Sequence, residues 1–153
     1  MTFYKQRIDI FVPVDSNVRQ LLKDHSLRLT QSRADIVEVF LHKNVAISHG
    51  DIEARIDGRY DRVTIYRTLK SFLETGLIHK VLDDGGVTRY ALCDDSCADG
   101  HHHHNHVHFK CINCEETTCL EHVDIPAVQL PAGFTVKESN FLVTGTCSKC
   151  ATA

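Results

Sequence analysis

The sequence predicts an α/β (α+β) chain of two units, a mainly helical unit followed by a smaller unit with strands. Three observations carry this prediction. Apolar residues recur at helical spacing in four segments before residue 77, two short apolar runs flank a glycine turn directly after them, and the composition changes near residue 93. With 153 residues the chain can form two small cores, and we expect a first domain over 1–92, a hinge over 93–105 and a second domain over 106–153.

Each of the four predicted helices has a recognisable start. A side-chain oxygen at the first position can accept a hydrogen bond from the backbone N–H groups that a helix start leaves unpaired. The third segment also has an acidic residue three positions after its serine, which is the capping-box spacing. The predicted start residues are, in chain order, Ser16, Thr30 or Ser32, Ser48 with Asp51, and Asp61.

The fourth helix, RVTIYRTLKSFLET, has an apolar face and a polar face and ends at Gly76, a residue type that tolerates a left-handed conformation. The apolar face carries Ile65, Leu69, Phe72 and Leu73, and the other face carries Arg62, Thr64, Arg67 and Lys70. The runs LIHKVL and VTRYAL then flank the turn Asp84-Gly85-Gly86, which predicts a β-hairpin. Helices followed by such a hairpin indicate a winged helix-turn-helix.

The net charge of −3 is unevenly distributed along the chain. Residues 1–92 contain 14 Lys and Arg against 12 Asp and Glu, a net of +2, whereas residues 93–153 contain 3 against 8, a net of −5. A contact with DNA is therefore expected from the first unit. A difference in net charge of this size is also what an ordinary solvated surface would give.

The second unit follows a polar segment, CDDSCADGHHHH, that lacks any periodicity and predicts the hinge. In HNHVHFKC the histidines alternate with other residues, so a strand would place His104, His106 and His108 on one face. Residues 121–130 suggest a short helix, and FTVKESNFLVTGTC suggests one or two further strands.

Seven cysteines and eleven histidines make metal binding the first hypothesis. The pairs Cys111-Ile-Asn-Cys114 and Cys147-Ser-Lys-Cys150 can supply the four thiolates of a closed structural zinc site, although redox or disulfide roles are alternatives. No apolar run is long enough for a signal peptide or a membrane span. We therefore expect a cytoplasmic protein without a membrane contact, in a compartment where clustered cysteines stay reduced.

Five motifs in this order and spacing resemble the ferric uptake regulator family. They are LRLTQSR at 27–33, VTIYRTL at 63–69, ETGLIHKV at 74–81, HHHHNHVHFKCINC and the terminal GTCSKC, within roughly 16–150. The resemblance implies a homodimeric, metal-dependent transcriptional regulator, usually a repressor, and not an enzyme. A symmetric dimer predicts a double-stranded DNA operator with an inverted repeat.

The resemblance also implies which residues contact DNA. The fourth helix would enter the major groove with Tyr66 and Arg67, and Thr64 lies on the same polar face. Arg28 would reach toward the minor groove. Arginine can bind phosphate or base edges, and a tyrosine ring can contact a thymine methyl group. The alternative is that Tyr66 packs against the wing and Arg67 is a solvated charge.

A second, exchangeable divalent metal is implied as the regulatory one. Zinc-sensing members of the family have ligands at the positions of His79 and Cys93, and His104, His106 and His108 offer the remaining ligands. Iron and peroxide sensors tend to have a histidine ligand just before the third helix. In this chain that position is close to Ala46, so this ligand is missing. A thiolate beside imidazoles favours zinc. Cys119 stands where many members have a carboxylate ligand, and is either a further ligand or a small buried residue.

Several alternatives are open at this point. Within the family, the regulatory metal could be iron or manganese, or the signal a peroxide. A zinc hydrolase or deaminase would need signatures such as HExxH or HxE…PCxxC, which the chain lacks. A histidine-rich metal-storage protein would not require the YRTL helix or the wing. No role is assigned to Cys97.

Overall fold

The computed structural model describes residues 14–43, 45–82, 85–93, 106–120, 122–123, 125–137 and 139–152. None of the described helices has the length and apolar character needed to cross a bilayer. The elements in chain order are α1 (Ser16–Asp24), α2 (Gln31–Lys43), β1 (Ile47–Ser48), α3 (His49–Ile56), α4 (Arg62–Glu74), β2 (Ile78–Leu82), β3 (Thr88–Leu92), β4 (Val107–Cys111), β5 (Thr117–Leu120), β6 (Phe141–Gly145) and α5 (Ser148–Ala151).

The helix starts follow the capping chemistry of the sequence with one exception. Ser48 and Asp51 form a complete capping box at α3, and the Asp61 side chain accepts a hydrogen bond from the Thr64 N–H at 2.6 Å. Both predictions are confirmed. At α1 the cap is Asp15 and not Ser16, because the Asp15 carboxylate accepts from the Asn17 N–H at 2.9 Å.

The first domain is built around one apolar core beneath a small sheet. Strands β2 and β3 form the predicted antiparallel hairpin, and β1 adds to β3, so that the sheet order is β1-β3-β2. Gly76, with φ 71°, ends the α4 segment as predicted. Four helices and a hairpin give the winged helix-turn-helix. Its core includes Val18, Leu22, Ile36, Val37, Phe40, Ile52, Ile65, Leu69, Phe72 and Ile78.

The second domain contains a separate sheet with the order β5-β4-β6. Strands β4 and β5 are antiparallel, whereas β4 and β6 are parallel, so β5 returns the chain to the edge of the sheet at which β6 begins on the other side of β4. The prediction of a helix over 121–130 is wrong, since the described residues in that range are turn, bend or irregular. Pro126 and Pro131 explain this, because each disfavours a helical conformation in the residue before it and only four residues lie between them.

One backbone bridge joins the two domains beside their sheets. The N–H of Ala46, directly before β1, donates to the carbonyl of Thr117 on β5 at 2.8 Å, as an isolated antiparallel bridge. Ala46 also packs with Val81 and Ala91 in a small buried cluster, and Cys119 lies against that cluster. The wing of the first domain therefore faces β5 of the second.

Candidate metal centres

The first candidate metal centre is made by the two Cys-x-x-Cys pairs. Cys111 ends β4 and Cys114 lies in the turn after it, while Cys147 caps α5 and Cys150 lies within it. Each sulfur lies within 4.8 Å of the other three, and the sulfurs of Cys114 and Cys147 are 3.9 Å apart. Two sulfurs bound to one tetrahedral zinc at about 2.3 Å are separated by about 3.8 Å. The spacing fits zinc.

The electrostatics of these sulfurs also point to a cation. Backbone N–H groups of Cys114 and Cys147 hydrogen-bond the Cys111 sulfur and lower its pKa to about 6. The hydrogen bond between Cys150 and the Cys147 sulfur, followed by burial, raises the pKa of Cys150 to about 12. One thiolate is therefore stable here, but four adjacent thiolates repel one another. A divalent ion would remove that repulsion, because thiolates and not thiols bind metal.

The second candidate centre lies between the two domains. His79 comes from β2 in the wing, His108 from β4, Cys119 from β5, and His106 lies directly before β4. The imidazoles are almost fully buried, with exposed fractions of 2% for His79, 3% for His108 and 9% for His106. We call these four residues the interdomain cluster.

The ligand atoms of the interdomain cluster have the spacing of a tetrahedral zinc site. All four lie within 4.8 Å of one another. The Nε2 atoms of His79 and His108 are 3.3 Å apart, and the Cys119 sulfur is 3.5 Å from His79 Nε2. Bond lengths near 2.05 Å for nitrogen and 2.3 Å for sulfur give about 3.3 Å between two nitrogens and about 3.6 Å between nitrogen and sulfur in a tetrahedron. Zinc fits these donors.

Burial favours the metal-binding form of the His106 imidazole. Desolvation lowers the pKa of His106, because a charged imidazolium is disfavoured away from water. Three imidazoles also lie close together, with ring centroids 4.7 to 5.5 Å apart, so charging all of them would be costly. Neutral imidazole offers a nitrogen lone pair, and this arrangement favours it.

The structure brings together some of the regulatory ligands expected from the sequence and places others differently. His79, His106 and His108 meet in the interdomain cluster, together with Cys119. The Cys93 sulfur lies 3.5 Å from Nδ1 of His79, the ring nitrogen opposite the one that faces the cluster. His104 and Cys97 lie outside the described residues.

The position of Cys119 follows from strand register. Across the turn that contains Cys114, Lys110 pairs with Thr117, and two residues further along each strand His108 pairs with Cys119. Directly paired side chains point to the same face of a sheet. Reading the sequence as a hairpin around the first Cys-x-x-Cys pair would have predicted this contact, because the register then places His108 opposite Cys119.

The residues expected to contact DNA lie on the surface of the first domain. Tyr66 is 61% exposed on α4, and Arg67 beside it is also exposed. Thr64 is half-buried at the start of the same helix. Arg28 is exposed in the segment between α1 and α2, where its carbonyl accepts a hydrogen bond from the Arg33 guanidinium at 2.8 Å. Three of the four residues thus lie on one helix.

Comparisons with known proteins agree on the family. A model of the ferric uptake regulator family matches residues 24–143. The ferric uptake regulation protein of Staphylococcus aureus is 28% identical over 135 residues, which cover 86% of this chain and 93% of that protein. A protein of the same description from Staphylococcus epidermidis is 29% identical over 136 residues, with 86% and 91% covered.

Solved structures share the fold. Holo XcZur superposes with a TM-score of 0.64 at 21% identity, over 90% of this chain and 99% of that one. A zinc uptake regulator complexed with zinc and DNA superposes with a TM-score of 0.63 at 19% identity, over 89% and 91%. With the family match covering most of its length, the chain belongs to the ferric uptake regulator family of metal-responsive, DNA-binding transcriptional regulators, which act as dimers and are not enzymes.

Proposed function

We propose that this chain is a zinc-responsive repressor that holds structural zinc at Cys111, Cys114, Cys147 and Cys150 and exchangeable zinc at the interdomain cluster. The observation that carries the proposal is the interdomain cluster itself, in which three imidazoles and a sulfur lie within 4.8 Å of one another and two of the distances match the edges of a zinc tetrahedron. The cytoplasm, where thiols stay reduced, is the compartment that suits such a sensor.

Zinc is favoured over iron and manganese by the donor atoms. Sulfur and imidazole ligands suit zinc, whereas manganese prefers oxygen ligands. No carboxylate belongs to the interdomain cluster among the described residues. Iron sensors of the family carry a histidine ligand close to the position of Ala46. The buried methyl group of Ala46 offers no ligand.

Iron is the second candidate, and a specific observation favours it. The similar proteins from Staphylococcus are described as ferric uptake regulation proteins. At 28 to 29% identity the fold and the class of regulator are shared, but individual ligands can differ. Operator binding measured with each metal alone separates the two candidates.

The interdomain cluster would act as a clamp on the winged helix. His79 belongs to the wing, while His106, His108 and Cys119 belong to the second domain, so binding one ion requires both domains to adopt a fixed relative orientation. A zinc ion bound here supplies a Lewis acid that holds these four side chains together. The three imidazoles are buried, so packing holds their ligand nitrogens in place before metal binds.

The DNA contacts would come from α4. Tyr66 and Arg67 project from the helix into solvent, with Thr64 beside them and Arg28 on the preceding segment. We infer that Tyr66 contacts bases, that Arg67 contacts bases or phosphates, and that Arg28 approaches the minor groove. Two such helices, related by the twofold axis of a homodimer, would read an inverted repeat.

The dimer contact would be formed by apolar side chains of the second domain. Phe134 is 68% exposed and Val136 is 60% exposed in the connection between β5 and β6, and Val128 and Leu130 are exposed nearby in the sequence. Exposed apolar groups at this density in so small a domain are typical of a protein interface. A second copy of the chain is the partner that the family implies.

Metal loading followed by DNA titration tests the proposal. Protein stripped of its exchangeable metal is loaded with zinc, ferrous iron or manganese, one metal at a time and without oxygen, because in direct competition zinc displaces the other two at most sites. The bound metal is measured in each form. Each form is then titrated with inverted-repeat duplexes selected from a random pool and with scrambled duplexes. We expect zinc to occupy the interdomain cluster and to raise operator affinity roughly 5- to 150-fold. Operator binding that responds to ferrous iron but not to zinc, or that needs no metal, would contradict the proposal.

A further inference from the structure

Two thiols flank the same imidazole at the interdomain cluster, and they contact opposite ring nitrogens. The Cys119 sulfur is 3.5 Å from Nε2 of His79, and the Cys93 sulfur is 3.5 Å from Nδ1. The distances are equal, but the two contacts differ in chemistry. A neutral imidazole has a lone pair on one nitrogen and a hydrogen on the other, so only one of its nitrogens can bind the shared metal.

The neighbouring donors decide which nitrogen binds metal. His108 Nε2 lies 3.3 Å from His79 Nε2, and Cys119 lies on the same side. His108 and Cys119 are direct cross-strand partners on β4 and β5, so their positions are fixed together by the second sheet. Nε2 of His79 would therefore hold a metal ion shared by these residues, which would leave the hydrogen of His79 on Nδ1.

Cys93 is placed to accept that hydrogen. Its backbone N–H donates to the Leu77 carbonyl at 3.0 Å, which extends the β2–β3 ladder by one pair beyond Ile78 and Leu92. His79 pairs with Ala91, and Cys93 lies two residues after Ala91 along the chain. The side chains of His79 and Cys93 therefore point to the same face of the wing. Cys93 is thus held by the wing that carries His79.

We propose that Cys119 is the thiolate ligand that makes the interdomain cluster selective for zinc, and that Cys93 is a positioning residue that accepts the Nδ1 hydrogen of His79. This inference rests on the proposed function and gives different roles to the Cys93 and Cys119 thiols. The sequence alone favoured Cys93 as a ligand. Under this arrangement the second domain supplies three ligands and the wing supplies His79 alone.

The positioning role matters because His79 is the wing's only ligand among the described members of the cluster. A hydrogen bond from the second nitrogen of a metal-binding histidine fixes its tautomer and ring orientation, and loss of such a partner typically costs 10- to 100-fold in metal affinity. Cys93 would therefore set the affinity at which the wing closes onto the second domain, while Cys119 sets which metal the site selects.

Cobalt substitution in the full-length protein tests both roles. With structural zinc retained, Co²⁺ at the interdomain cluster gives a near-ultraviolet charge-transfer band only if a thiolate binds it. We expect Cys93→Val to keep this band and to bind cobalt and zinc 10- to 100-fold more weakly. Cys93→Ser retains a hydrogen-bond acceptor and should restore much of the affinity. Cys119→Ser should lose the band.

The wild-type protein provides a check that is independent of whether the variants fold. Cys93 and Cys119 both line a cavity of about 480 Å³ at the domain junction, so an alkylating reagent can approach both. Zinc loading should protect Cys119 from alkylation much more than Cys93. Structural zinc content and thermal unfolding show whether each variant retains its fold.

Three results would overturn the assignment. They are loss of the band in Cys93→Val with retention in Cys119→Ser, loss of half the band in each variant, and wild-type metal affinity in Cys93→Val. A failure of the proposed function looks different, because operator binding by the wild-type protein would then respond to iron and not to zinc, or would need no metal, whichever thiol is the ligand.

Discussion

The substitution Cys147→Ser tests how far the second domain depends on its structural zinc. From residue 106 onward, the buried apolar side chains in the described part of the chain are Val107 and Cys111. Burying a side chain such as Val107 contributes about 1.5 to 3 kcal/mol, whereas fixing the backbone of a single residue costs about 1 to 2 kcal/mol. Structural zinc in small domains contributes about 10 to 16 kcal/mol. The apolar core cannot offset its loss.

The serine substitution isolates metal binding from helix capping. Cys147 is the N-cap residue of α5 but makes no side-chain cap hydrogen bond, and serine is a good N-cap residue. The helix start is therefore not weakened by the change. We expect Cys147→Ser to lose one zinc equivalent per chain, to unfold the second domain and to abolish the dimer. The helical signal should persist, since α1 to α4 belong to the first domain.

Metal analysis, far-ultraviolet circular dichroism and light scattering measure these three outcomes on the same sample. Cys119→Ser is the matched control, because it removes a sulfur from the interdomain cluster and should keep the structural zinc and the dimer. A Cys147→Ser protein that retains its full zinc content and remains dimeric would refute the reasoning.

Three further predictions concern pH and DNA. Burial and the hydrogen bond from Tyr60 to Asp35 raise the pKa of Tyr60 to about 12, so the folded state binds a proton that the unfolded state loses near pH 10. Stability should fall between about pH 10 and 12, and denaturant titrations should show a shallower fall in Tyr60→Phe. Tyr66→Ala should weaken operator binding by about 1 to 3 kcal/mol and leave binding to scrambled duplexes nearly unchanged. Arg67→Ala should weaken both and reduce the salt slope by about one, as titrations at several salt concentrations would show.

Elements defined by local chemistry could be predicted from the sequence. The capping box of Ser48 and Asp51, the cap at Asp61 and the turn at Gly76 each depend on residues within one helical turn. Strand β1 was not predicted, because its two residues form a strand only by pairing with Tyr90 and Arg89 far along the chain.

The same distinction holds at the two candidate metal centres. Cys-x-x-Cys spacing brings two sulfurs together locally, and two such pairs predicted the four-cysteine cluster that the structure assembles. The role of Cys119 could not be decided, since its approach to His79 depends on the register of β4 and β5 and on how the domains meet. Which nitrogen of His79 faces which thiol is likewise a product of tertiary structure.

The bridge from Ala46 to Thr117 has a mechanical consequence for a domain that must move on DNA. A rigid body attached at one point can turn about any axis through that point, whereas a second attachment leaves only rotation about the line that joins the two. Thr117 and Cys119 are two residues apart on β5, roughly 7 Å at the usual rise of a strand. An ion shared by His79 and Cys119 would therefore leave the winged helix at most a rotation about an axis close to the direction of β5, and the packing of Cys119 against the small buried cluster that contains Ala46 restrains that rotation as well. β5 would then be the line along which the winged helix is held, so that the two recognition helices of a dimer keep a set separation on DNA.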